Sequence, residues 1–511
     1  MEVYELKLLE IEELARVIQV LKNQGKKIVQ CHGVFDILHI GHIRHLEQAK
    51  QWGDILIVTI TPDRFAAKGD ERPVFNESFR AETVTSLHFV DYVSIIREPD
   101  AAEAIRLLKP HIFVRGSSLR DQNIESSRHM EKENEAIKEI GATLIYTDDI
   151  EFSSTNIINR FFSNISEEIK EYLKVFRQRY KNDDLFHILD RMEGFNVLVI
   201  GDTILDEYQY CEAIGKSSKD PVLALRYQSH DLFAGGVLAV ANHVANFAGK
   251  VKLVTVIGEK DSYEEFIRTQ LRPNIDPHLI VQENAPTLIK RRFIEGYSLN
   301  KLFEVYVMDN KGLSKKKTYE LCEWIKSIIS RYDIVIAADF GHGAISDDVI
   351  DVLVEYSPFL AVNTQANAGN RGFNTISKYK KADYVCLAEH EIRLEARSID
   401  GDLRQITEKI AERLKCKYFV VTRGRRGALI RSERGSFIEV PAFAQNIVDR
   451  IGAGDAFFAV TSMVALQSVN PELLGFIGNA VGSLAVEIIG NKKSIDKEST
   501  KRTIKNLLEY R

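Results

Sequence analysis

Several features are scarce in this sequence of 511 residues, and each absence disfavours a class of protein. The five cysteines are scattered and form no C-x-x-C pair, which argues against a disulfide framework and against a zinc site. No apolar run is long enough to cross a bilayer. No basic segment precedes an apolar run near Met1, so we expect no signal peptide and a cytoplasmic location. The formal net charge of -5 disfavours nucleic acid or an anionic membrane surface as a partner.

The composition that is present, 45% hydrophobic and 28% charged residues, is typical of a globular protein, and the length favours two domains. Short apolar runs alternate with segments of helical periodicity over residues 1–160. Alternation of this kind predicts a parallel sheet that is covered by helices on both faces. The predicted strands of this first domain lie at 27–31, 55–60, 92–96, 112–114 and 143–146.

Residues 161–193 are charged, have a helical period and contain no strand pattern, which predicts a helical connector. A second α/β pattern occupies residues 194–511. Two segments, 222–227 and 290–308, read as strands outside the alternation and could form a flap. The fold class that we predict is therefore α/β, with two doubly wound domains. The predicted strands of the second domain lie at 196–200, 252–257, 334–338, 359–362, 384–387 and 418–422.

The first motif with chemical meaning is HGVFDILHIGH, residues 32–42, which follows a predicted strand and leads into a helix. Ligands bind at the carboxyl ends of parallel strands, and a helix N-terminus offers free N–H donors to phosphate. His39 and His42 are three residues apart and can face the same phosphate. Nucleotidyl transfer needs aligned phosphates and stabilisation of charge in the transition state. Taken alone, however, H-x-G-H could equally be a pair of surface histidines or half of a metal site.

Longer segments around this motif resemble the cytidylyltransferase-like family. They are LKNQGKKIVQCHGVFDILHIGHIRHLEQAKQWGD, KGDERPVFNESFRAETVTSLHFVDYV, VRGSS and EFSSTNII. The similarity is greatest to the adenylyltransferase half of the bifunctional heptose kinase–adenylyltransferases. It implies a Rossmann-like nucleotidylyltransferase domain with ATP or CTP as the nucleotidyl donor, a triphosphate site, two basic clamps and a nucleotide pocket. It assigns the triphosphate site to Gly33, Phe35, Asp36, His39 and His42. The basic clamps would be Lys68 and Arg72, and the nucleotide pocket would be completed by Arg115, Ser153, Ser154 and Thr155.

The second motif is GAGD, residues 452–455, a short turn that runs directly into an apolar helix. Successive N–H groups of Gly452, Ala453 and Gly454 can form an anion hole for a phosphoryl group in transfer. Asp455 is placed to take the proton from an attacking hydroxyl. The plain alternative is a helix cap with an acidic first turn, which stabilises many helices.

The context of this motif resembles the ribokinase (PfkB) family over residues 195–490. NVLVIGDTILDEY, AGGVLAVANHVA, VIAADFGHG and VTRGRRG follow that family's order. The resemblance implies a sugar kinase that uses ATP and Mg²⁺, admits a monovalent cation and pairs as a homodimer through its lid. It assigns sugar binding to Asp202, Asp206, Gly235 and Gly236. It assigns ATP binding to Thr422, Gly424 and Gly427, and a place in the magnesium shell to Glu391.

This half departs from the family pattern at three positions. Ala239 and Ala388 stand where the family has asparagines near the sugar and the magnesium shell, and Arg450 replaces a small or hydroxyl residue. A degenerate kinase domain that only regulates or scaffolds is therefore an alternative, as is a ligand-sensing protein without catalysis. The retention of Asp455 argues against a degenerate kinase domain. The retention of both histidines together with Asp455 argues against a ligand-sensing protein without catalysis.

The expected function is the activation of a sugar, of which a heptose is one candidate. ATP would phosphorylate the sugar, and the sugar phosphate would then be joined to a nucleotide with release of pyrophosphate. The bifunctional heptose enzymes carry the two activities in the opposite order along the chain. One further feature, the basic run Lys290, Arg291 and Arg292, could contact a substrate phosphate or could form a solvated strand edge.

Overall fold

Two compact units make up the chain, residues 1–163 with 510–511 and residues 164–509. The structure, a computed structural model, describes residues 7–66, 73–116, 124–147, 166–296, 300–309 and 311–509, with 124–129 as backbone only. Within these ranges no helix has both the length and the apolar character that a bilayer span requires. All five cysteines are free and buried.

The described part of the first unit has a five-stranded sheet in the order β3-β2-β1-β4-β5, with every pairing parallel. The first strand lies between β2 and β4, so the chain reverses its winding direction there. Ligands of open α/β sheets bind at such a switch point. The elements are α1 (Ile11–Asn23), β1 (Ile28–Gly33), α2 (Ile40–Lys50), β2 (Ile55–Ile60), α3 (Asp63–Ala66), α4 (Glu77–Thr85), β3 (Tyr92–Ile95), α5 (Ala102–Leu108), β4 (Ile112–Gly116), α6 (Ile124–Ile140) and β5 (Thr143–Thr147).

The second unit begins with two helices and continues as a larger α/β layer structure. Its elements are α7 (Glu167–Arg179), α8 (Asn182–Arg191), β6 (Asn196–Lys216), β7 (Leu223–Gly236), α9 (Val237–Ala245), β8 (Lys250–Lys260), α10 (Glu264–Gln270), β9 (Ile275–Pro286), β10 (Ile289–Glu295), β11 (Lys301–Val307), α11 (Lys315–Ile328), β12 (Ile334–Asp339), α12 (Asp347–Tyr356), β13 (Leu360–Thr364), β14 (Tyr384–Ala388), α13 (Glu389–Ala396), α14 (Leu403–Leu414), β15 (Tyr418–Thr422), β16 (Ala428–Ser432), β17 (Phe437–Val440), α15 (Ala453–Leu466), α16 (Pro471–Ala485) and α17 (Lys497–Glu509).

The central sheet of this unit has parallel strands at its core. Strand β6 pairs with β8 on one side and β12 on the other, and β13, β14 and β15 follow in order. Successive side chains of a strand point to opposite faces, and β6 shows this directly. Val197 and Val199 pack into one hydrophobic core, whereas Leu198 and Ile200 pack into the other. The predicted class, two doubly wound α/β domains with a β lid on the second, is thereby confirmed.

The lid is built by a strand that is much longer than the sequence pattern indicated. Strand β6 was predicted at 196–200 but continues to Lys216. Its distal half pairs antiparallel with β7 and parallel with β10, and β11 pairs antiparallel with β10. The two predicted flap segments are therefore strands of one lid sheet.

The helices of the predicted connector, α7 and α8, pack as part of the second unit. Leu173, Phe176, Leu185 and Leu189 are fully buried in one of its cores, and the Phe176 ring stacks on that of Phe476 with centroids 4.2 Å apart. Burial of this kind contributes about 1.5–3 kcal/mol for each large apolar side chain. The described part of the connector, from residue 166 onward, is thus mainly helical and built into the second unit, while the domain boundaries at 160 and 193 stay a prediction.

Two candidate active sites

The first site is the loop between β1 and α2, at the switch point of the first sheet. Phe35 and Ile37 have φ angles of 51° and 48°, the left-handed region that bulky residues rarely adopt. Strain of this kind persists only where surrounding structure imposes it, and it clusters at functional sites. His39 then caps α2, because its Nδ1 accepts the N–H of Gly41 at 3.1 Å.

His39 and His42 form a stacked pair at the start of this helix. Their ring centroids are 3.9 Å apart with an interplanar angle of 26°, and Phe35 meets His42 edge-on at 5.4 Å. Burial and, after it, the neighbouring histidines His39 and His45 lower the pKa of His42 to about 3. His42 is therefore a neutral imidazole near pH 7, able to donate one N–H to a phosphate oxygen.

Asp36, predicted for the triphosphate site, and Arg115, predicted for the nucleotide pocket, are held by protein contacts. Asp36 is buried and accepts the N–H groups of Val74 and Phe75 at 3.0 and 3.1 Å. It thus fixes the chain that follows Arg72. Arg115 is buried too and donates to the Glu133 carboxylate at 2.6 Å. Five further predicted residues lie outside the described ranges: Lys68, Arg72, Ser153, Ser154 and Thr155.

Arg80 is a residue of this site that the sequence analysis did not single out. Its side chain is fully buried and donates to the carbonyl oxygens of Phe75, Val34 and Thr61 and to the Asp63 carboxylate. One guanidinium therefore ties the loop after β1 to the loop after β2. An arginine inside a helix gives no sequence signal for such a role, because its acceptors are backbone groups distant along the chain.

Replacing Arg80 by Met is expected to destabilise the first unit by about 2–4 kcal/mol, since three carbonyls and a carboxylate lose a buried partner. Urea unfolding of the full chain, followed by hydrogen exchange of residues 33–36 and 61–63, would measure the loss. Arg97→Met is the matched control: Arg97 pairs with Glu12 on the surface, and such pairs contribute at most about 1 kcal/mol. Equal stability of the two variants would contradict the anchoring role.

The second site is the turn that leads into α15. Gly452 is the N-cap of this helix with a φ of 83°, and an added Cβ there would lie 2.3 Å from the Asn491 Oδ1. The positive φ therefore favours glycine, and a larger residue would also displace the Asn491 side chain. Ala453, Gly454 and Asp455 form the first turn, where N–H groups are free of helix partners.

A second acid, Asp206, acts electrostatically on the Asp455 carboxyl. Burial and, after it, the negative charge of Asp206 raise the pKa of Asp455 to about 7, although Lys290 opposes the shift. Asp206 is itself buried and accepts hydrogen bonds from Arg292 and from the Asn491 Nδ2, the latter at 3.3 Å. A carboxyl that titrates near neutral pH is suited to proton transfer.

The three basic residues of β10 point alternately to opposite faces of the sheet. Lys290 and Arg292 are buried, whereas Arg291 pairs with Glu207. Burial lowers the pKa of Lys290, and Asp206 acts against that shift. For Lys290 and Arg292 the solvated-edge interpretation is wrong, because β11 covers this strand on the side away from β6.

The predicted sugar-binding residues have distinct surroundings. Asp202 is buried and accepts the N–H groups of Phe340, His342 and Ala344 at 3.0, 3.2 and 2.9 Å, so its carboxylate holds the loop after β12. It also lines a polar cavity of about 30 Å³ together with Thr203, Thr287, Asp309 and His342.

The glycine pair supports this region through space and backbone shape. A Cβ on Gly235 would lie 2.1 Å from the Asp206 Oδ2, so glycine makes room for that carboxylate. Gly236 is the N-cap of α9 and has a φ of 56°. Ala239, on the first turn of the same helix, is buried.

The predicted ATP loop follows β15. Gly424 and Gly427 have φ angles of 57° and 76°, and a Cβ on Gly427 would lie 2.0 Å from the Val440 carbonyl oxygen. The Thr422 hydroxyl donates to the Leu387 carbonyl oxygen at 3.5 Å. This loop is thus shaped by its glycines.

Glu391, the predicted magnesium-shell residue, is buried, and its carboxylate accepts the N–H groups of Ala388 and Ala366 at 2.7 and 3.1 Å. Burial raises its pKa to about 7 against those two hydrogen bonds. Within the described ranges no group of three or more His, Cys, Asp or Glu side chains could hold a metal ion. A carboxylate has about four acceptor positions, so Glu391 keeps capacity for a water of a hydrated Mg²⁺, which needs few protein ligands.

Sequence comparison identifies relatives of both units. The pfkB family carbohydrate kinases match residues 195–498, and the cytidylyltransferase-like family matches residues 31–160. Both resemblances drawn from the motifs are therefore confirmed.

Two curated relatives are named bifunctional protein HldE. The one from Aliarcobacter butzleri (strain RM4018) is 42% identical over 115 residues, which are 22% of this chain and 24% of that protein. The one from Desulfatibacillum aliphaticivorans is 33% identical over 158 residues, 30% of this chain and 31% of that protein. The chain thus spans about a quarter to a third of the length of these relatives.

A solved structure, phosphofructokinase-2 from Escherichia coli in complex with potassium, has the fold of the larger part of the chain. It aligns with a TM-score of 0.51 and 17% identity over 62% of this chain and 99% of that chain. At this identity the likeness speaks for the fold alone.

Proposed function

Because the chain belongs to the pfkB family of carbohydrate kinases and carries a cytidylyltransferase-like segment ahead of that match, we propose that it is a bifunctional sugar kinase and nucleotidylyltransferase. The observation that supports this proposal is that each unit has a helix start at which free N–H groups lie beside side chains capable of the proposed chemistry. These are the stacked pair His39 and His42 on α2, and Asp455 behind Gly452 on α15.

In the kinase step, Asp455 removes the proton from a sugar hydroxyl, and the oxygen attacks the γ-phosphorus of ATP. The bond to the bridging oxygen breaks, and ADP leaves. The N–H groups of the 452–454 turn receive the charge of the phosphoryl group, and the positive charge of Lys290 favours the ionised form of Asp455. Bound Mg²⁺ would neutralise further phosphate charge, with Glu391 holding its water shell.

In the nucleotidyl step, a phosphate oxygen of the sugar phosphate attacks the α-phosphorus of ATP or CTP. The bond between the α-phosphorus and its bridging oxygen breaks, and pyrophosphate leaves. His39 and His42 donate to the phosphate oxygens as charge shifts toward pyrophosphate. A heptose or its phosphate is the first substrate class to test.

The test is a panel of sugars and sugar phosphates with ATP or CTP, followed by phosphorus NMR on the full chain. We expect ADP with a new sugar phosphate in one reaction, and pyrophosphate with a nucleotide sugar in another. Variants at Asp455 and His42 should remove the first and the second product separately. Pyrophosphate without any ADP across the panel would favour the alternative, a transferase with a degenerate kinase unit.

We propose in addition that the chain forms a homodimer through the lid. The lid sheet exposes apolar side chains, among them Ile214 at 59%, Leu223 at 51% and Tyr227 at 56% exposure. Large apolar side chains that are at least half exposed are candidates for an interface. Sedimentation velocity is expected to show a species of twice the 58.1 kDa chain mass, and Leu223→Lys should shift it to the monomer.

The compartment that we propose for these reactions is the cytoplasm. All five cysteines are free and buried, which agrees with a reducing environment. The second argument for the cytoplasm is that both proposed steps consume nucleoside triphosphates.

A further inference from the structure

A buried carboxylate lies in the turn before the anion hole and takes no part in the proposed reaction. The Asp449 Oδ1 accepts the Lys301 ammonium at 2.7 Å and the Ile451 N–H at 3.2 Å. Its Oδ2 accepts the Tyr208 hydroxyl at 2.7 Å and the Gly490 N–H at 3.0 Å. Four donors therefore converge on this one group, which we call the Asp449 cluster (Asp449, Lys301 and Tyr208).

The cluster fixes the backbone on which the anion hole depends. The Ile451 N–H that it holds immediately precedes Gly452, the N-cap of α15. The Gly490 N–H that it holds precedes Asn491, whose side chain packs against Gly452. Both sides of the turn are thus tied to the Asp449 carboxylate.

Three elements that are distant in sequence supply the cluster. Lys301 begins the lid strand β11, Tyr208 belongs to the lid half of β6, and Asp449 precedes α15. The Asp449 side chain is 8% exposed and that of Lys301 is 34% exposed. The ammonium also lies 5.7 Å from the centre of the Tyr208 ring. The lid therefore contributes the positive charge that the turn needs.

Charge balance explains why a cation is required. Burial acts to raise the pKa of Asp449, but the hydrogen bonds from Lys301, Tyr208 and the backbone N–H groups of Gly490 and Ile451 together outweigh it, and the net shift is downward. A buried carboxylate without a partner cation is strongly unfavourable. Beside the cluster lies a cavity of about 40 Å³ lined by Tyr208, Lys301 and Asp449, which is larger than the volume that one water needs.

A monovalent cation, which the family resemblance admits, does not fit beside Asp449 as the site stands. Lys301 already occupies the Oδ1 side of the carboxylate at hydrogen-bond distance. An alkali ion would have to displace this ammonium, because two cations cannot share one carboxylate without repulsion. Loss of the ammonium, in contrast, would leave a buried carboxylate facing a cavity of sufficient size for a small ion.

We propose that the Lys301 ammonium is a built-in monovalent cation that positions the anion-hole turn, so that phosphoryl transfer by this chain needs no added potassium. Lys301 is a positioning residue, because it acts through Asp449 and touches no reacting atom. The turnover part of this inference rests on the proposed kinase activity, whereas the cation-binding part does not.

The first experiment measures the melting temperature of the full chain in choline, sodium, potassium and ammonium chloride at a fixed ionic strength of about 0.1 M. The natural chain is expected to melt at the same temperature in all four salts. Lys301→Met is expected to melt lower in choline and to regain about 2–4 °C in potassium or ammonium. Lys252→Met, which breaks an ion pair of the same 2.7 Å length with Asp276, is the control and should respond to no cation.

The double variant Lys301→Met with Asp449→Asn separates charge from packing. It keeps the apolar stem and removes the buried charge, so its melting temperature should again be independent of the cation. If the melting temperature of Lys301→Met is lowered equally in all four salts, Lys301 has a structural role only and the proposal is overturned. The proposal would also be overturned if potassium raised the melting temperature of the natural chain as much as that of the variant.

The second experiment follows ATP-dependent phosphorylation in the same salts. The natural chain should turn over equally in all four, and Lys301→Met should lose at least about tenfold in choline and recover in potassium or ammonium. A natural chain whose turnover requires potassium would refute the built-in cation. If no sugar is phosphorylated at all, the proposed kinase function fails while the melting experiment still decides the cation site.

Discussion

Replacing Asp455 by Asn is expected to lower the rate of phosphoryl transfer by about 10²–10⁴-fold, the usual contribution of a positioned general base. Asparagine has the same shape and cannot accept the hydroxyl proton. The anion hole is made of backbone N–H groups, so ATP binding should change little. The measurement is the initial rate of ADP formation with saturating ATP and the sugar that the panel identifies.

A matched control tests the view that Asp455 is only an acidic first-turn residue. Asp347 occupies the first turn of α12 and is exposed. Asp347→Asn should leave the rate unchanged and reduce helix stability by less than about 1 kcal/mol. A rate for Asp455→Asn equal to that of this control would assign Asp455 to capping.

The pH dependence follows from the raised pKa of Asp455, which burial moves from 3.8 to about 7. The ionised form is the base, so the rate should rise with pH until about 7 and then level off. The contribution of Asp455 to the stability of the fold changes with pH in the opposite direction. Below pH 3.8 the carboxyl is protonated in both the folded and the unfolded chain, and between 3.8 and 7 only the unfolded chain loses the proton.

Folding thus becomes less favourable as the pH rises through this window. Asp455→Asn removes the penalty, and at pH 8 it should increase the free energy of unfolding by on the order of 1 kcal/mol. A variant that is inactive and also less stable than the natural chain would point to a packing defect and contradict the assignment.

Replacing His42 by Ala is expected to slow nucleotidyl transfer by about 10²–10³-fold, the scale for a lost donor to developing charge. His42 is the cleaner test of the stacked pair, because His39 also caps α2 and its removal would disturb the helix start. The affinity for nucleotide should change much less than the rate. Pyrophosphate release, measured with the active donor, gives both quantities.

His88→Ala is the control for this change, since His88 is exposed and its ring contacts Phe89 at 5.0 Å. It should retain the natural rate. His42 has a pKa of about 3 in the free protein, so its own titration should leave no step in kcat/KM between pH 6 and 8. Normal turnover by His42→Ala would make the H-x-G-H motif structural.

Local patterns in the sequence were sufficient to predict most of the framework. The strand at 55–60 and the strand at 418–422 were predicted with their observed bounds, because buried parallel strands are short apolar runs that need no distant information. Both helix starts that carry the proposed chemistry, His39–His42 and Gly452–Asp455, were also visible, since glycine and the reactive residues lie within a few positions of each other.

Tertiary structure alone decided which partners the polar residues take. The sugar-binding role of Asp202 stays a prediction, but only the fold showed that its oxygens accept the N–H groups of Phe340, His342 and Ala344, about 140 positions away. The length of β6 was equally invisible, because the polar residues beyond Ile200 are stabilised by pairing with β7 and β10 and not by their own pattern.

Taken by itself, the sequence determined the two α/β units and the loops in which phosphate chemistry is proposed, because hydrophobic period and glycine turns act over a few residues. Only the fold decided that Arg80 joins two loops, that Lys290 is buried, and that Lys301 meets Asp449 across 148 positions. The physical reason is that a buried charge is tolerated only where three-dimensional packing brings its partner. No local pattern specifies that meeting.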